Sequence, residues 1–223
     1  MRNRFSVMFV AALVVCCCGQ PLRAFTSGAP DGLTGGPADS GTCTLCHSGT
    51  VNAGPGSVTI LGVPAQYNFG QVYDLTIRIS DPTKVAAGFE VSAQDDLGGH
   101  LGTLLLADPL ATAFASGNPD YITHTATGVA DSLAAWTANG NSADFPVQWQ
   151  APAGDVGPVV FYAVGNAINN ATGNNGDNVY SESAVAGPPG PIPAVSDWGL
   201  AAMALLVLAA GTIAFRHNRA RAC

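Results

Sequence analysis

The sequence predicts an all-β protein, an antiparallel β-sandwich flanked by a signal peptide and a single C-terminal transmembrane helix. Three observations carry this. Short apolar-alternating runs recur between residues 57 and 185, separated by turn residues such as "DPT", "LGG", "GNPD", "APAGDVGP" and "GNNGD". No helical period of any length intervenes, and that pattern belongs to a sandwich or barrel. Both chain ends, by contrast, carry apolar runs bordered by arginine.

At the N-terminus, Arg2 and Arg4 precede an apolar run to Cys18, and a small residue, Ala24, follows. This order reads as a secretory signal over residues 1–24. Residues 25–56 are rich in Gly, Pro, Ser and Asp without periodicity, so an extended segment is expected there. Strands are expected at Ser57–Leu61, Val72–Ser80, Gly88–Gln94, Gly102–Ala107, Tyr121–Ala126, Phe145–Gln150, Val159–Gly165 and Asn178–Ala184. In "VYDLTIRIS", Tyr73, Leu75, Ile77 and Ile79 alternate with Val72, Asp74, Thr76 and Arg78, which gives one apolar and one polar face. Helical turns are expected within Leu101–Ala115 and Asp131–Trp136. The sandwich thus occupies 57–185, and a Pro-rich linker, 186–197, follows it. The run 198–215 has no charge and as a helix would be about 27 Å long, which predicts a membrane span. Arg216, Arg219 and Arg221 make 216–223 a basic cytoplasmic tail.

All fifteen acidic residues lie between the two terminal segments, against two basic residues, Arg78 and Lys84. So acidic a body repels phosphates, which excludes a nucleic-acid partner. Of the six cysteines, Cys16, Cys17 and Cys18 leave with the signal and Cys223 lies beyond the span. The exported domain keeps Cys43 and Cys46.

Those two open the chemically informative motif, Cys43-Thr44-Leu45-Cys46-His47. The spacing is that of c-type haem attachment. Two thiols add across the haem vinyl groups and the adjacent histidine becomes the proximal iron ligand. Cys43 and Cys46 are then the thioether residues, His47 the proximal ligand and one covalent haem c the cofactor. Met1, Met8 and Met203 all lie outside the exported domain, which excludes a methionine of this chain as distal ligand and leaves its exported histidines, a partner's ligand or a five-coordinate iron. His124, in a predicted strand, is preferred, and His100, in a glycine-rich turn, is the alternative. Two other readings stay open: a Cys43–Cys46 disulfide formed after export, and a metal site of Cys43, Cys46, His47 and either His100 or His124. A second constellation, "GNAINNATGNNGDNVY" (residues 165–180), offers oxygen donors of which only Asp177 is charged, a weak calcium candidate. No catalytic triad, nucleophile elbow, phosphate loop or paired catalytic carboxylate is present, so no enzymatic activity is expected.

Four stretches resemble a known family. "GAPDGLTGGPADSGTCTLCHSGT", "GSVTILG", "FPVQWQAP" and "VVFYAVGNAINNATGNNGDNVY" resemble blocks of the bacterial envelope domain called choice-of-anchor V. The resemblance covers about Gly28 to Tyr180. It implies a reeler-like, immunoglobulin-like sandwich. "IPAVSDWGL", with the apolar run and arginines after it, resembles the IPTL-type C-terminal sorting signal, with Ala194 and Val195 in place of Thr and Leu. That implies a sorting protease as partner and an address in a Gram-negative cell envelope, on its periplasmic or cell-surface face. The functional expectation is a membrane-anchored, monohaem, cytochrome-like protein. It would transfer one electron at a time to a redox partner protein or sense redox state. The alternative is a non-enzymatic adhesion or binding module in which Cys43 and Cys46 form a disulfide.

Overall fold

A computed structural model describes residues 26–171, 173–190 and 197–220. The expected signal peptide, 1–24, lies outside the described residues. Among the described residues nine strands form two antiparallel sheets: β1 (Ser57–Leu61), β2 (Val72–Ser80), β3 (Ala86–Gln94), β4 (Thr103–Leu106), β5 (Thr112–Phe114), β6 (Tyr121–His124), β7 (Ser142–Gln150), β8 (Val159–Ile168) and β9 (Asn178–Ala186). One sheet has the order β1-β2-β7-β4, the other β5-β6-β3-β8-β9. Helix α1 (Ala126–Ala135) follows β6 and helix α2 (Asp197–Ala220) ends the described chain.

The sheets face each other through the apolar half of each alternating strand. Leu75, Ile77 and Ile79 of β2 are buried against Phe89 and Val91 of β3 and Phe161 of β8 in one core, while Asp74 and Arg78 face outward, where Arg78 pairs with Asp144 of β7. Trp149 anchors one end of the core: its ring packs on Phe161 at 5.0 Å and Tyr67 at 5.8 Å, and its Nε1 donates to Leu101 O at 2.9 Å. That bond satisfies the one polar atom such a buried ring brings inside.

Strand β3 breaks the two-layer pattern, because all nine of its residues are buried. A half-buried strand of a sandwich alternates, and burial on both faces requires a third layer. The N-terminal segment supplies that layer. It is not the extended stretch its composition predicts. Gly35 N donates to Gly41 O and Ser40 N to Gly32 O, a Thr34–Thr42 bridge closes the loop, and a one-turn 3-10 helix, Cys43–Leu45, follows. This folded arm lies on the outer face of the five-stranded sheet.

The predicted span is also corrected. Helix α2 exposes its apolar side chains, including Leu200, Leu205 and Ile213. Among the described residues no helix is long and apolar enough to cross a membrane.

Candidate functional site

The arm is held at two places. Toward its start, polar side chains of the sheet bind its main chain. Gly32 N and Leu33 N both donate to Glu90 Oε1, at 2.9 and 3.3 Å, Ala38 N donates to Gln94 Oε1 at 3.0 Å, and Ala29 N donates to Thr123 Oγ1 at 3.0 Å. Thr34 Oγ1 and Ser92 Oγ share a hydrogen at 2.8 Å, and Tyr121 OH donates to Asp39 Oδ1 at 2.7 Å. Glu90 is fully buried, with Oε2 lacking a partner among the described residues. Burial pushes its carboxyl up to about 8, and the nearby Asp39 and Asp31 act in the same direction.

The second hold is the Cys-x-x-Cys-His motif. Cys46 N and His47 N both donate to Cys43 O, at 3.1 and 2.8 Å, which closes the turn. Cys43 is buried against Val164 of β8, Val179 of β9 and Val51, and its thiol is pushed up to about 12 by burial, with Glu90 and Cys46 adding to the shift. Cys46 is only half-buried, and both thiols are free. His47 reaches the β8–β9 connection: its Nδ1 lies 2.8 Å from Asp177 Oδ2. An ionised carboxylate only accepts, so Nδ1 carries the proton. The Asn166 side-chain amide approaches the same ring, 2.9 Å from Nδ1 and 3.1 Å from Nε2. Asn174 Nδ2 donates to Cys46 O, Ser48 N donates to Asn174 O at 3.0 Å, and Asn169 N donates to Asp177 Oδ1 at 3.1 Å.

The two constellations singled out in the sequence therefore meet. The cysteine–histidine motif and the asparagine-rich stretch, 130 residues apart, form one clasp. Their polar groups serve each other: both Asp177 oxygens are engaged, one by His47 and one by the Asn169 amide. The calcium reading of Asp177 gains no support from this arrangement.

The other two candidate histidines lie elsewhere. His124 ends β6 and is buried against β3, where Phe89 N donates to its Nδ1 at 3.0 Å. The ring lies on Gly88, where a Cβ would come 2.6 Å from Cε1 and 2.7 Å from Nδ1. Gly88→Ala is thus expected to push the imidazole off the Phe89 amide and to lower stability by about 1–3 kcal/mol. Urea unfolding checks this as a lower midpoint at unchanged slope. His100 packs edge-on against Tyr121 at 5.0 Å.

This geometry corrects the electron-transfer reading. A thioether at Cys43 requires a thiol open to a porphyrin, and that thiol is packed under valines. Proximal and distal ligands must face one iron, yet His47 is held by Asp177 and Asn166 while His124 is held by the Phe89 amide. Among the described residues no three His, Cys, Asp or Glu side chains gather as metal ligands, so the four-ligand alternative is not assembled either. The motif acts as a structural clasp.

Comparison with known proteins bears on the far end of the chain, where residues 191–222 match a family model. The chain carries an IPTL-CTERM motif. The described part of that motif is helix α2, the exposed apolar helix that follows the sandwich. No curated protein matches the chain. Among solved structures it is similar to the Reelin-N domain of F-spondin, at 18% identity over 66% of this chain and 95% of that one, with a TM-score of 0.44. It is also similar to the human F-spondin reeler domain, at 21% identity over 65% and 97% of the two chains, with a TM-score of 0.45. A second fragment of that human domain gives 20% identity, 64% and 100% coverage and a TM-score of 0.42.

Glu90, Ser92 and Gln94 are not among the site residues expected from sequence, and Asn166 is expected only as an oxygen donor of the asparagine-rich stretch. In "GFEVSAQ" the polar residues stand at alternate positions, which reads as a solvent face. The signal that could have found them is the arm itself, a segment with many backbone donors and no strand pattern to satisfy them.

Proposed function

We propose that this chain is an exported, cell-surface, non-enzymatic binding module, a sandwich delivered by its C-terminal sorting signal. The observation that carries this reading is the IPTL-CTERM motif at residues 191–222, directly after the sandwich. The clasp supports the non-enzymatic part, since His47, Asn174 and Asp177 hydrogen-bond across it and hold the arm. A sorting protease acts on the motif and leaves the sandwich at the surface. Membership of the choice-of-anchor V family belongs to the same reading. The strongly acidic body favours a cationic partner surface.

Brief protease treatment of intact cells tests the address, and retention of those cells on cationic beads tests the binding. The wild-type chain is expected to be shaved from intact cells, and its cells to be retained at low salt and released at high salt. Deletion of 191–222 should abolish both. A chain that is protected in intact cells and degraded only after lysis would overturn the surface address. Equal retention with and without the chain would overturn the binding role.

A further inference from the structure

The clasp contains a pair of thiols that its hydrogen bonds do not use. The geometry points to Cys43 and Cys46 as a thiol–disulfide exchange site in which Cys46 is the entry sulfur and Cys43 the buried, resolving sulfur. The inference rests on the exported address proposed above, because a disulfide persists in an oxidising compartment.

Three observations carry it. The cysteines occupy one hydrogen-bonded turn, with Cys46 N donating to Cys43 O at 3.1 Å. Their environments differ: Cys43 is 7% exposed beneath Val51, Val164 and Val179, whereas Cys46 is half-buried and reachable. Between Phe25 and Ala222 the chain has no third cysteine, so neither has another partner in the domain.

Exchange needs a thiolate that can reach the incoming disulfide, and access decides which sulfur that is. The Cys46 thiolate attacks one sulfur of a disulfide donor, R–S–S–R. The donor S–S bond breaks, R–S⁻ leaves and takes up a proton, and Cys46 carries a mixed disulfide. Cys43 then loses its proton, attacks the Cys46 sulfur and expels the second R–S⁻. Two protein thiols are oxidised by two electrons and the donor is reduced to two thiols. In reverse, a reducing thiol reaches the bond at Cys46.

The test uses the reduced exported chain, without residues 1–24, with oxidised glutathione as donor. Trypsin cleavage after Arg78 releases an N-terminal peptide whose cysteines are Cys43 and Cys46, and its mass reads the outcome. The wild-type peptide should lose two hydrogens. Cys43→Ser should stop with one glutathione on Cys46. Cys46→Ser should leave Cys43 unmodified, at a rate at least about tenfold slower, until denaturant exposes it. Equal modification of the two variants in the native state, or a wild-type peptide that keeps both thiols, would overturn the assignment. Because the reaction is run on purified chain, its failure would leave the surface address and the binding role standing.

Discussion

Replacing Asp81 with alanine is expected to destabilise the domain by about 3–5 kcal/mol. Asp81 is fully buried in the turn between β2 and β3. Its Oδ2 accepts from Tyr180 OH at 2.5 Å and from Asn178 Nδ2 at 2.7 Å, and its Oδ1 accepts from Thr83 N and Thr83 Oγ1, each at 2.7 Å. Tyr180 OH in turn accepts from Gly56 N at 3.0 Å. One carboxylate thus ties the entry to β1, the β2–β3 turn and the start of β9. Its removal leaves the buried Tyr180 hydroxyl and the part-buried donors of Asn178 and Thr83 without this partner, and a buried unpaired group costs about 1–3 kcal/mol. Burial raises the Asp81 carboxyl, but hydrogen bonds from Asn178, Tyr180 and Thr83 outweigh it and hold the group below its ordinary value of 3.8. The stabilisation is therefore present above that value and is lost as pH falls through the lower, folded-state value. Urea unfolding at neutral pH checks the prediction. A loss under about 1 kcal/mol would show that these groups find other partners.

Glu90 has the opposite sign. Its folded-state value of about 8 stands above the ordinary 4.5, so the folded state holds a proton that the unfolded chain has released. Stability is fully present below about pH 4.5 and falls as pH rises toward 8, by up to about 1.4 kcal/mol per pH unit. Glu90→Gln keeps an oxygen for Gly32 N and Leu33 N and has no proton to lose. The variant is expected to be flat over that window while the wild type declines. Parallel curves for the two proteins, from urea midpoints at a series of pH values, would assign the decline to another group. The effect centres on the arm, because Glu90 faces Gly32 and Leu33 rather than the sandwich core.

The two predictions also mark what the sequence reveals. β1 and β2 are legible to the residue, because one apolar and one polar face alternate along each. β5 is not: three residues, Thr112–Phe114, carry no period, and they fall where a helical turn was expected. Helix α1 is anticipated only in its last turn, since Ala126 is expected to end a strand and "TGV" after it carries no helical period, although Thr125 caps the helix by accepting from Gly128 N. At the site, the local motif was legible and its role was not. Cys43, Cys46 and His47 fix a spacing, but spacing alone does not say whether a thiol is buried or where an imidazole points. The partners that decide this, Asn166, Asn174 and Asp177, are supplied by the β8–β9 hairpin. Only the fold brings that hairpin to the arm.

The central claim is that the motif clasps a folded arm onto the sheet. Backbone hydrogen exchange at Cys46, His47 and Ser48 tests it most directly, because these amides are bonded within the clasp, to Cys43 O and Asn174 O. They are expected to be protected in the wild type. Asp177→Ala should speed exchange at His47 and Ser48 by about tenfold or more, equivalent to about 1.4 kcal/mol, and leave β2 and β8 unchanged. Unprotected exchange at these amides in the wild type, with β2 and β8 still protected, would contradict the account.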